Sequence, residues 1–184
     1  MNQVKIANPG SLGLAGFALA TFLLSMVNAR IISPEGIGVV LATAFFYGGL
    51  AQLCAGMWEF KNGNTFGGTC FSSYAAFWMG LGLMIVLEAT GIIPAVPPSG
   101  LAIFLAAWGI FTLYATVASV KVSRSLFILF SVLTTTYFLL AAGEYYSHLK
   151  LAGGYLGIVV AGIAWYISGG ILINEVFKRK VLPL

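Results

Sequence analysis

The chain has 184 residues, of which 60% are hydrophobic and 8% charged, and its mean hydropathy is +0.99, whereas a soluble domain is about 25% charged. That composition excludes a soluble globular protein. Six Lys and three Arg against five Glu and no Asp leave a net charge of +4, too scattered to follow a phosphate backbone, so no nucleic acid is expected as a partner.

A hydrocarbon core takes about 20 helical residues to cross, so a chain of this length holds six or seven spans joined by short loops. Six apolar segments are predicted as membrane helices, at 12–28, 38–58, 67–87, 99–120, 125–143 and 151–173, because an open chain satisfies its own backbone in lipid only as a helix. The predicted fold is an all-α integral membrane protein, one transmembrane domain over residues 1–184.

The first segment runs past Ala18-Leu19-Ala20 without a clean cleavage region and is expected to stay as a helix rather than be removed as a signal. Before it, Asn8-Pro9 reads as an N-cap followed by Pro at the first helical position, directing the amides of Gly10 and Ser11 outward. The second segment carries Thr43, Tyr47 and Gln52. An amide such as Gln52 is costly in hydrocarbon unless partnered, so it either pairs between helices or faces a lumen. The Gly-rich turn Asn62–Gly68 offers caps for the third helix, which bears Thr69, Ser72, Ser73 and Tyr74. Two helix starts on one side form an expected anion site that needs no Lys or Arg.

Pro94, Pro97 and Pro98 mark a connector to the fourth helix. Along that helix and just beyond it, Thr112, Thr116, Ser119 and Ser123 repeat at i, i+4, i+7 and i+11, one face of hydroxyls. These either bond back to carbonyls, join two helices or line a path. Ser131, Thr134, Thr135, Thr136 and Tyr137 follow in the fifth helix. Small residues at helix-contact spacing, Gly16 with Ala20, Ala44 with Gly48 and Gly157 with Ala161, let backbones approach closely. Of the tryptophans, Trp58 suits an interfacial belt, while Trp78, Trp108 and Trp165 fall near helix middles.

Lys5, Lys61, Lys121, Arg124, Lys178, Arg179 and Lys180 fall on one side and Arg30 and Lys150 on the other, which places both termini in the cytoplasm. Charged groups sit at helix ends and none in mid-membrane, against an ion pump built on a buried carboxylate relay. Cys54 and Cys70 are expected to be buried packing thiols, and the single His148, in a loop, cannot build a metal site. No metal or cofactor is expected, and with no Asp and one His the chain is not expected to be an enzyme.

The block Asn8-Pro9-Gly10-Ser11-Leu12-Gly13-Leu14-Ala15-Gly16-Phe17 resembles the signature Asn-Pro-x-Pro-Leu-Gly-Leu-x-Gly-Phe of the acetate uptake transporter family, of the succinate-acetate permease type, with Ser11 in place of the second proline. Phe46–Gln52, Glu59–Gly67, Ser73-Tyr74, Phe77-Trp78, Trp108–Leu113, Asn174-Glu175 and Val181–Pro183 are similar to family blocks in the same order. The resemblance implies a homo-hexamer in the cell (plasma or inner) membrane with one narrow path per protomer for acetate and related small carboxylates, with succinate in range. By the same likeness Phe17, Tyr74 and Leu133 correspond to the apolar constriction, and Asn8, Leu12, Gly13, Tyr47, Gln52, Asn64, Thr65, Ser73 and Asn174 to the substrate contacts. Transport is expected to be passive or proton-linked, with Glu59, Glu144 and Glu175 as candidate proton carriers. The alternatives are a channel for a small neutral solute such as ammonia or a short amide, and a membrane scaffold that transports nothing.

Overall fold

The computed structural model describes residues 6–184; Lys5, counted in the charge asymmetry, lies outside the described residues. Among the described residues seven α-helices run in order: α1 (Gly10–Asn28), α2 (Ile37–Phe45), α3 (Gln52–Lys61), α4 (Thr65–Ala89), α5 (Pro98–Ser119), α6 (Arg124–Gly143) and α7 (Ser147–Phe177). A 3-10 turn at Pro34–Gly36 leads into α2, and a π-helical segment at Phe46–Ala51 joins α2 to α3. Residues 34–61 thus form one span, giving six helical segments long and apolar enough to cross a membrane.

The second span departs from the expected continuous α-helix. A π segment carries one extra residue per turn and rotates the face that follows it; here Gln52 is the first residue after it. The sixth span is also longer than predicted. Its 31 residues reach about 46 Å at 1.5 Å per residue, more than the hydrocarbon thickness.

Helix α1 is the centre of the packing. It lies most extensively along α7 and also touches α2, the π segment, α3 and α4. Small residues make these approaches: a Cβ on Gly16 would meet the carbonyl oxygen of Tyr47, one on Gly48 would stand 2.7 Å from Ala20 Cβ, and one on Gly157 would meet Ser25 Oγ. α4 and α5 have few close backbone approaches, and aromatic rings fill the distance, with Tyr74 against Phe111 at 5.3 Å and Phe77 against Trp108 at 5.2 Å between centroids.

Three expectations are corrected. Cys54 is exposed on α3, since a helix side facing lipid has no need to bury an apolar thiol; Cys70 is buried as expected. Ser123 does not extend the α5 hydroxyl face but caps α6, accepting from the Leu126 N–H at 3.1 Å. His148 stands in the first turn of α7 rather than in a loop, because that helix begins earlier than its apolar run.

Candidate transport path

Three helices present a face each to two cavities. Leu14, Phe17, Thr21 and Ser25 recur at three- and four-residue spacing on α1, with matching rows on α4 and α6. One cavity, about 230 Å³, opens where α1, α4 and α6 begin and is lined at its mouth by Asn8, Glu59, Asn64 and Ser123. The other, about 290 Å³, opens at the opposite ends, beside Asn28, Glu88, Glu144 and Lys150. Phe17 and Leu133 line both cavities, so they stand between them, while Tyr74 lines the first. All three side chains are buried, and the Phe17 and Tyr74 rings lie 5.5 Å apart.

Tyr74 is fixed by its hydroxyl. Thr112 Oγ1 donates to the Trp108 carbonyl at 2.8 Å, leaving its lone pairs to accept from the Tyr74 O–H at 2.9 Å. Thr116 meets Thr134 at 2.9 Å, and Ser119 donates to the Thr116 carbonyl. The hydroxyl face of α5 therefore joins helices and lines neither cavity.

The two helix starts do converge, though not on an empty anion site. Asn8 Oδ1 accepts from the Gly10 N–H at 2.8 Å, and Asn64 Oδ1 accepts from the Gly67 N–H at 3.0 Å. Between them lies the buried carboxyl of Glu59, which accepts from Asn64 Nδ2 at 2.8 Å. A Cβ on Gly10 would stand 3.2 Å from Glu59 Oε1. The positive ends of α1 and α4 thus already serve a resident acid.

Several expected contacts lie away from the cavities. Leu12 is 41% exposed and points outward, with Leu14 on the cavity face instead. Gly13 gives room to the Phe71 ring, and Tyr47 offers its backbone to Gly16. Thr65 is exposed and Ser73 half-buried, and neither lines a cavity. Asn174 accepts from the N–H groups of Val181 and Leu182 and donates to the Leu182 carbonyl, so its amide clasps the tail. Of the expected proton carriers, Glu144 is paired with Lys150 at 2.9 Å and Glu175 is exposed at the end of α7. Thr21 and Trp78 were not anticipated as liners of the second cavity, although the spacing of Thr21 from Phe17 on α1 carried the signal.

The chain matches the GPR1/FUN34/yaaH family across residues 1–183. The chain belongs to this family. Among relatives, it is 38% identical over 186 residues to the succinate-acetate/proton symporter SatP of Escherichia coli (strain K12), covering 100% of this chain and 98% of that protein. It is 37% identical over 179 residues to acetate permease A of Emericella nidulans, covering 88% of this chain and 60% of that longer protein. Its fold is similar to that of the bacterial acetate channel SatP, with a TM-score of 0.94 at 38% identity over 98% of this chain and 99% of the other. The two cavities are therefore features of a GPR1/FUN34/yaaH protein with six helical spans, a multi-pass membrane protein.

Proposed function

We propose that the chain is a membrane channel or transporter for acetate and related small carboxylates, succinate among them, and not an enzyme. One observation carries this reading: two cavities open at opposite ends of the bundle and are separated by Phe17 and Leu133. Neutral polar groups suit the task, since conduction requires binding weak enough to release. Phe17, Tyr74 and Leu133 form the constriction, Gln52 contacts substrate on one side of it, and Asn8 and Asn64 line the mouth through which substrate reaches it. The whole chain acts as one transmembrane domain with both termini in the cytoplasm of a cell or inner membrane, a placement supported by the seven Lys and Arg on that side against two on the other. The first cavity then faces the cytoplasm. A homo-hexamer is supported by the family resemblance and by Gly162 and Gly169, seven apart on α7, where open space surrounds a Cβ position.

Reconstitution into proteoliposomes tests the reading. Labelled acetate should enter faster than into protein-free vesicles, and an imposed pH gradient separates passive from proton-linked transport. Uptake no faster than in protein-free vesicles rejects the reading. Mass measurement in mild detergent tests the hexamer independently.

A further inference from the structure

Gln52 is the most deeply buried polar side chain on the path. It is 0% exposed, lines the first cavity, and neither its Nε2 nor its Oε1 has a protein partner. The other polar liners are committed: Asn8 to Gly10, Asn64 to Gly67 and Glu59, Tyr74 to Thr112, and Ser123 to Leu126. A buried amide with both ends free, set at the end of the π segment, calls for a ligand with one donor and one acceptor side by side.

The charges along the path narrow the choice. The ionisable groups facing Gln52 across the first cavity are Glu59 on α3 and Cys70 and Tyr74 on α4, with no Lys or Arg among the described residues lining it. In the second cavity Lys150 is paired with Glu144, and Glu88 and Tyr137 are the remaining ionisable liners. Neither cavity offers an unpaired cation among the described residues. An anion crossing Phe17 and Leu133 would meet apolar side chains and resident carboxyls, a strongly unfavourable transfer. A carboxylate also has acceptors only, so it would satisfy Gln52 Nε2 and face Oε1 with like polarity.

Building on the acetate reading, we infer that Gln52 recognises the undissociated carboxyl group: Nε2–H donates to the acid carbonyl while Oε1 accepts from the acid O–H. The proton travels on the substrate and leaves it to water on the far side. A primary amide presents the same pair of groups in the same plane, with N–H in place of O–H. Small primary amides, acetamide first, are therefore a second substrate class of this site.

The test measures osmotic swelling of proteoliposomes in acetamide and membrane current after an acetate jump. The wild-type protein should raise acetamide permeability well above that of protein-free vesicles and pass acetate without net negative current. Gln52→Met, which keeps the volume and removes both polar groups, should lower both fluxes by about thirtyfold, the loss expected for two neutral hydrogen bonds, and Gln52→Asn should retain part of each. Acetamide permeability at the protein-free level, with acetate carried as a negative current, overturns the inference and leaves the acetate reading standing. Undiminished acetamide flux through folded Gln52→Met also overturns it. Absent acetate flux in the wild type rejects the acetate reading itself. The wild-type measurements decide the matter even if both variants misfold.

Discussion

The Asn64 side chain holds two helices at once, donating from Nδ2 to Glu59 Oε2 at 2.8 Å at the end of α3 and accepting at Oδ1 from the Gly67 N–H at 3.0 Å at the start of α4. Asn64→Ala should cost about 1 kcal/mol through the lost cap, and more because Glu59 loses its partner. Acetate flux should fall several-fold. Asn64→Asp keeps the cap oxygen but opposes Glu59, so it should melt nearer the wild type while still losing flux. Wild-type flux in both variants would remove Asn64 from the path.

If the proton rides on the substrate, no carboxyl in the protein has to carry it. Glu59→Gln, Glu144→Gln and Glu175→Gln should all keep acetate accumulation driven by an acidic exterior and abolished by a protonophore. Glu175→Gln should match the wild type in rate as well, since Glu175 is exposed and away from both cavities. Loss of accumulation with downhill flux intact in Glu59→Gln would instead make Glu59 a carrier.

Phe17→Ala and Leu133→Ala should each merge the two cavities and admit longer carboxylates such as butyrate, seen as a shift in competition against labelled acetate. Truncating a buried large side chain costs about 2–5 kcal/mol, so the assay belongs well below the melting temperature. Tyr74→Phe removes only the bond to Thr112, about 1 kcal/mol, and should leave size selectivity in place. Unaltered selectivity in both Ala variants would contradict the constriction.

Gly16→Ala would place a methyl group against the Tyr47 carbonyl. Overpacking of this kind costs about 1–3 kcal/mol, and it pushes α1 away from the π segment that precedes Gln52. Both thermal stability and flux should drop. A variant as stable as the wild type would show that the two segments separate without penalty.

Asn174→Ala removes three hydrogen bonds to Val181 and Leu182, leaving the Tyr166 hydroxyl bond to the Pro183 carbonyl. Limited trypsin digestion should then cut faster at Lys178, Arg179 and Lys180. An unchanged cleavage rate would mean the tail is held elsewhere.

Hydropathy alone located the six spans, because the cost of an unsatisfied backbone in lipid acts on every residue and needs no knowledge of neighbours. The Asn64 cap was equally legible, and so was the Asn8 bond to the first helical amide, although Pro9 rather than Asn8 takes the cap position of α1, since such bonds are local and join residues two or three apart. The family motifs pointed to Phe17 and Tyr74, and the spacing from Arg124 pointed to Leu133. What those local rules could not decide is which side of a helix meets what. The π segment turns Gln52 toward the cavity, Asn174 faces the tail at Val181 and Leu182, and the α5 hydroxyls meet Tyr74 and Thr134. The fate of the expected anion site shows the same limit. Two helix starts far apart in the chain converge as anticipated, but Glu59, from a third helix, already lies between them. Local hydrogen bonding and hydrophobicity determine the elements; only packing among all the helices determines which polar group has a partner and which is left to a substrate.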